Sequence, residues 1–294
     1  MADYALQSGP RLVEAWAATR LAFEPKGWQT AFRRDLQAAA RQLRVRSSEL
    51  LYAVYASADQ RLCDAENVLF YNVGLDAFAR AMRHGIRFER SFWLPVNSDV
   101  LDAAHYHRYE PAAPESGFHW WRRGQLLQSW AATKWPITPT ATGWWGAFVQ
   151  SRAATKIHFA PPAVFGLEVV LSAPPTWKLP VHSIIKPLID GVVAACHCHA
   201  GKDLQVVAER IAIVLAADAG QVADRLTSPA GTVLGPRRLL WPWADGVQWN
   251  PADDLCVAAT IHARHDTNAT QPAVTADVFV VEPVASSCPT LGIG

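Results

Sequence analysis

The residues of this chain best suited to chemistry are carboxylates in short, spaced groups. Asp64 and Glu66 sit two apart in "CDAEN", Asp190 closes "KPLID", and Asp253 and Asp254 adjoin in "WNPADDL". Carboxylate oxygens are hard donors of the kind Mg²⁺ or Mn²⁺ takes, and acids on different elements can converge on one ion. Lys186, just ahead of Asp190, is the candidate contact for a phosphate oxygen. The same residues admit a plainer reading. An acid at a helix start caps orphan N–H groups, which accounts for Asp64, Glu66 and Asp190. Asp253-Asp254 also suits a solvated turn ahead of a strand.

A second group is "CHCH" at 196–199. Zinc sites usually space their cysteines C-x₂₋₄-C and draw a second ligand pair from downstream. Consecutive side chains on a helix point about 100° apart, so four in a row do not converge. The apolar run Val192-Val193-Ala194-Ala195 leads into this segment, and the expectation is a helix end near Gly201, not a metal site. His105 and His107 in "HYHRYEP" would point the same way on a strand. They read as a surface strand or loop with aromatic cover more readily than as a metal pair.

Elements must position these groups, and the chain repeats some of them. "GWQTAF" begins at Gly27 and "GWWGAF" at Gly143, each at an expected helix start. A strand-like run follows each, Leu50–Tyr55 and Leu167–Leu171. An acidic loop and an apolar helix come next, then "GIRFE" from Gly85 and "GVQWN" from Gly246. Landmarks in one order predict an internal duplication, with a first unit over 1–115 and a second over 116–294. Residues 202–245 read as an insertion in the second unit, with two amphipathic helices, "DLQVVAERIAIVLAA" and "GQVADRLTS". "LCVAATIHA" and "AVTADVFVVEP" read as closing strands around a polar turn.

The order strand, loop, "KPLID", helix, "WNPADDLCV" and closing strands resembles the RusA-like family of Holliday-junction resolvases. "KPLIDG" matches the Lys, the Pro and the second aspartate of that family's K-P-D-[IL]-D-N. "DAEN" matches D-x-[DE]-N through Asp64, Glu66 and Asn67, and Asp253-Asp254 matches the acid pair opening the next strand. Leu188 stands where the first motif acid belongs, and Ala194 and Phe70 where the family often has a lysine. The resemblance implies an α+β fold of two related RusA-like units and a Mg²⁺- or Mn²⁺-dependent, structure-selective DNA endonuclease. Metal ligands would be Asp190, Asp253 and Asp254, with Asp64 and Glu66 as a second set, and Lys186 would assist. Branched or double-stranded DNA would be the partner, met by a homodimer or by a pseudo-dimer within one chain. The alternative is an inactive descendant that binds DNA or protein.

Composition bounds these readings. The chain has 294 residues, half of them apolar, enough for one large domain or two of about 150 residues. A net charge of +1 gives no overall basic excess for nucleic acid. Local patches remain, Arg122-Arg123 beside Trp120-Trp121 and Arg237-Arg238 near Trp241 and Trp243. The 13 tryptophans suit stacking on bases, a large core or a protein interface. No signal peptide or run of about 18 apolar residues is read, so no membrane span is expected. Five cysteines at irregular positions fit reduced thiols and a cytoplasmic setting. G-x-S-x-G, Walker A, G-x-G-x-x-G and H-E-x-x-H are missing, which leaves serine hydrolase, P-loop, Rossmann and zincin readings without support. A carbohydrate-active protein would hold its acids about 5–10 Å apart across an aromatic groove.

Overall fold

The computed structural model of the chain describes residues 2–59, 62–95, 103–151, 153–155 and 160–284. It is an α+β protein whose main element is a mixed, ten-stranded sheet. The strands of the N-terminal part are β1 (Tyr4–Ser8), β2 (Val13–Ala17), β3 (Leu50–Ser57), β4 (Gly85–Ser91) and β5 (His105–Ala112). The others are β6 (Trp121–Lys134), β7 (Ala153–Thr155), β8 (Phe165–Ala173), β13 (Cys256–His265) and β14 (Ala273–Pro283). The order across the sheet is β1-β2-β5-β3-β4-β13-β8-β14-β6-β7.

Pairing senses run the same way on both sides of the middle. β3 is parallel to β4 and antiparallel to β5, and β5 is antiparallel to β2. β8 is parallel to β13 and antiparallel to β14, and β14 is antiparallel to β6. β4 and β13 join the two sides antiparallel, Arg87 opposite Thr260. One continuous sheet therefore crosses residue 115, and the loop between β5 and β6 contains that position.

Two expectations are corrected by this topology. "GVQWN" does not take the place of "GIRFE". It forms β12 (Gly246–Trp249), which pairs with β11 (Leu240–Trp243) in a separate ribbon, while β13 pairs with β4. The closing strands read around a polar turn do not pair with each other: β8 lies between β13 and β14 and hydrogen-bonds to one on each edge.

Helices cover one face of the sheet. In α1 (Trp28–Gln42) the buried Phe32, Leu36, Ala39 and Ala40 recur at helical spacing and join the main core, with the helix lying against β1 and β2. Gly27 precedes it at φ +58°, a conformation glycine adopts without penalty. In α2 (Ala141–Gln150) the second glycine lies inside the helix, because Thr140 is the cap and accepts the Gly143 N–H. α3 (Val181–Ala195) starts ahead of "KPLID" and carries Pro187 within it. A Cβ on Gly191 would stand 2.4 Å from the Cβ of Trp144, so its missing side chain lets α3 lie against α2. α4 (Leu204–Leu215) and α5 (Ala219–Thr227) form within the expected insertion. Where α3 follows β8, a shorter π turn (Asn67–Tyr71) and a 3₁₀ turn (Leu75–Phe78) follow β3.

Tryptophans divide between core and surface. Trp130, Trp144 and Trp145 are fully buried, while Trp93, Trp177 and Trp243 are exposed. Among the described residues no helix is long and apolar enough to cross a membrane.

Candidate active site

The acids singled out in both parts of the sequence meet at one point. Lys186 Nζ lies 2.9 Å from Asp64 Oδ2, 2.8 Å from Asp190 Oδ1, 2.6 Å from Asp253 Oδ2 and 3.9 Å from Glu66 Oε2. All five side chains are largely shielded from solvent, and Glu66 is almost wholly buried.

Each is held by a different element. Asp64 follows the loop after β3, and its Oδ1 accepts the Asn67 N–H at 3.0 Å, which leaves Oδ2 for Lys186. The capping expected of this residue therefore coexists with its place in the cluster. Glu66 sits one helical step on, with neither carboxylate oxygen hydrogen-bonded. Lys186 and Asp190 share one face of α3 at i, i+4 spacing. Asp253 opens the 3₁₀ turn (Asp253–Leu255) that leads into β13.

Sequence reasoning missed the group that fixes Asp253. His197, just past the end of α3, donates from Nδ1 to the Gly235 carbonyl at 2.9 Å. Its Nε2 accepts the Ala252 N–H at 3.4 Å, which sets the tautomer and ties the residue before Asp253 to α3. Burial lowers the His197 pKa to about 4, so the ring stays neutral and keeps both bonds. The signal was present in "CHCH", but as a hydrogen-bonding position and not as a ligand set. The helix expected to end near Gly201 stops at Ala195; β9 (Cys198–His199) pairs with β10 (Pro236–Arg237), and Cys196 is buried.

Four carboxyl groups face a single ammonium here, so full ionisation leaves a large uncompensated charge in a shielded site. Burial, with the neighbouring carboxylates, pushes Asp64 up to about 7 and Asp190 up to about 6. Glu66 is driven well above the usual carboxylate range, first by burial and then by Asp64. Asp253 moves the other way. Burial opposes its charge, but Lys186 and a hydrogen bond from Asp64 outweigh it and hold the group low. Lys186 is raised, its desolvation overcome by Asp64, Asp190, Glu66 and Asp253.

The donor set fits a hard divalent cation, since it consists of carboxylate oxygens and two of them are buried without a partner. Their present arrangement is closed around the lysine. Among the described residues no group of three or more His, Cys or carboxylate side chains stands ready to hold an ion.

No family model, curated protein or solved structure matches the chain.

Other residues named from the sequence lie apart. Asp254 turns away from the cluster, 3.9 Å from Arg237. Glu89, the acid nearest "DAEN" on the following strand, is buried on β4 and accepts the Tyr52 hydroxyl and the N–H groups of His119 and Trp120. Arg122 pairs with Glu282, and Arg123 with Glu168 and Asp277, on β6 and its neighbours. Trp121 is buried with its indole N–H on the Arg90 carbonyl, so no base can stack on it, whereas Trp120 stacks on Trp93. Arg238 pairs with Asp203 and lies over the Trp241 ring. His105 and His107 do share a side of β5, but the strand is not at the surface as expected: it lies between β2 and β3, with His107 fully buried against Phe32 and Tyr55.

Proposed function

We propose that the cluster of Asp64, Glu66, Lys186, Asp190 and Asp253 is the active site of a Mg²⁺- or Mn²⁺-dependent DNA endonuclease of the RusA-like, structure-selective kind. The observation that carries this reading is the convergence of acids from both halves of the chain on one shielded point. We read the chain as a tandem duplication of RusA-like units, 1–115 and 116–294, forming a pseudo-dimer. The matched pairing senses on the two sides of β4–β13 support that.

Asp64, Glu66, Asp190 and Asp253 would hold the cation. When bound, it supplies a water activated near neutral pH and charge stabilisation for the phosphorane-like transition state. The chain's own groups do the rest. Lys186 brings a fixed positive charge to a phosphate oxygen once the acids have another cation to satisfy them. Arg237, Arg238 and Trp120 offer backbone and stacking contacts to branched or double-stranded DNA.

The second reading is an inactive descendant that binds DNA or a protein partner. The ammonium at the centre of the acids favours it, since Lys186 already supplies a cation. So do Leu188 and Ala194, both buried in the core where the resemblance implies an acid and a lysine. Cleavage of labelled four-way and linear DNA with Mg²⁺ or Mn²⁺ separates the two. Activity lost in Asp190→Asn and Asp253→Asn supports the nuclease. An intact substrate under all metals supports the inactive reading.

A further inference from the structure

A cavity of about 180 Å³ is lined by Arg20, Tyr55, Ser57, Asp59, Cys63 and His105, with Cys63 one position before Asp64. We propose that this cavity is a phosphate subsite that takes a backbone phosphate of nucleic acid next to the one at the acid cluster. The identity of the ligand as nucleic acid rests on the function proposed above; the anion site rests on its own observations.

The cavity is below the range of about 300–1,000 Å³ that holds whole small-molecule ligands, and its size suits one tetrahedral anion. Its inner wall is backed by Arg90, which is fully buried. The Arg90 guanidinium donates to Cys63 Sγ at 3.6 Å and to the Asp59 carbonyl at 3.0 Å, both groups of the cavity wall. Its Nε has no partner, and among the described residues no carboxylate lies within ion-pair distance of it. A buried cation without a counter-charge is costly, and an anion in the cavity would supply one.

Arg20 is exposed at the rim, where a long side chain can fold over a bound group. The Tyr55 hydroxyl and His105 Nδ1 are 2.7 Å apart, giving a polar pair on the wall. Burial lowers the His105 pKa, with Arg20 and Arg90 adding to the effect and Asp59 opposing it. Asp59 is the one acid of the lining and Arg20 its one guanidinium, with Arg90 behind the wall. Cys63 of the cavity wall directly precedes Asp64 of the acid cluster in the chain.

The test is fluorescence anisotropy of a labelled DNA duplex in EDTA over a range of salt, with wild type, Arg20→Gln, His105→Gln and the remote surface variant Arg34→Gln. Arg20 is at the surface, so its replacement leaves the fold intact. Arg20→Gln is expected to weaken binding about 3- to 10-fold and to lower the log–log salt slope by about 0.9, the value for one phosphate contact. Arg34→Gln should match wild type. Unchanged affinity and slope in both cavity variants would overturn the subsite, even for a chain that cleaves DNA, and so would a wild type that does not bind the duplex. Affinity lost in Arg20→Gln, from a protein that binds no Mg²⁺ by calorimetry, would keep the subsite and reject the nuclease.

Discussion

Lys186 Nζ donates to Asp64 Oδ2 at 2.9 Å across 122 positions of sequence. That bond links α3 of the second half to the acidic loop of the first, with β4 and β13 paired between the halves. The site is therefore built by the tertiary fold and belongs to neither half alone.

Lys186→Met removes the only cation that, among the described residues, pairs with these four carboxyl groups. Breaking a buried ion pair costs about 3–5 kcal/mol. The low end, about 3 kcal/mol, is expected because the freed carboxyls can take up protons. Millimolar Mg²⁺ should recover more stability in this variant than in wild type, by linkage. Thermal unfolding with and without Mg²⁺ reads both effects. A variant as stable as wild type, and indifferent to the ion, would contradict the charge imbalance.

Gly191→Ala places a methyl 2.4 Å from the Trp144 Cβ and 2.9 Å from the Trp145 backbone nitrogen. Overpacking of this kind costs about 1–3 kcal/mol. Because α3 carries Lys186 and Asp190, the shift should also weaken metal binding. Urea unfolding measures the first effect and calorimetry the second. Gly27→Ala, where nothing crowds the added methyl, should cost only the positive-φ penalty, about 1–2 kcal/mol.

The pH dependence includes a contribution from His107. Burial lowers its pKa to about 3, with His105 adding to the effect, against about 6.5 in an unfolded chain. Between those values the unfolded state binds more protons, so stability rises with pH through this window. The His107 contribution is complete above about pH 6.5 and is lost progressively as pH falls toward 3. His107→Gln should flatten the stability curve between pH 4 and 6.5 relative to wild type, by a few kcal/mol at its lower end. Unfolding in urea at a series of pH values would reveal parallel curves if the ring did not titrate on unfolding.

Cutting the chain in the loop between β5 and β6 tests the two-unit reading. Fragments 1–115 and 116–294 would each expose an unpaired strand, β4 in one and β13 in the other. Expressed together they should associate and unfold as one unit, and expressed apart they should aggregate. A stable, monomeric 1–115 would show that the β4–β13 pairing is dispensable.

Much of the sheet was legible because its strands are apolar runs. β3, β8, β13 and β14 fall where Leu50–Tyr55, Leu167–Leu171 and the two closing segments were read. The helices at 204–227 followed from their period in the same way. What could not be read was the non-local part. Pro187 suggested a helix beginning after Lys186, yet packing of α3 on α2 extends the helix back to Val181 and carries the proline inside. "GVQWN" looked like "GIRFE" over five residues, but register with β4 goes to the longer β13. Asp64, Glu66, Asp190 and Asp253 were marked by type and spacing. Their gathering around one lysine depends on contacts between residues more than 60 positions apart, which no local pattern records.

The central claim is one cation site shared by both halves, and calorimetric titration with Mg²⁺ and Mn²⁺ tests it most directly. Wild type should bind, and Asp64→Asn in the first half should lose that binding as fully as Asp253→Asn in the second. Binding that survives Asp64→Asn, or no binding by wild type at millimolar metal, would contradict it.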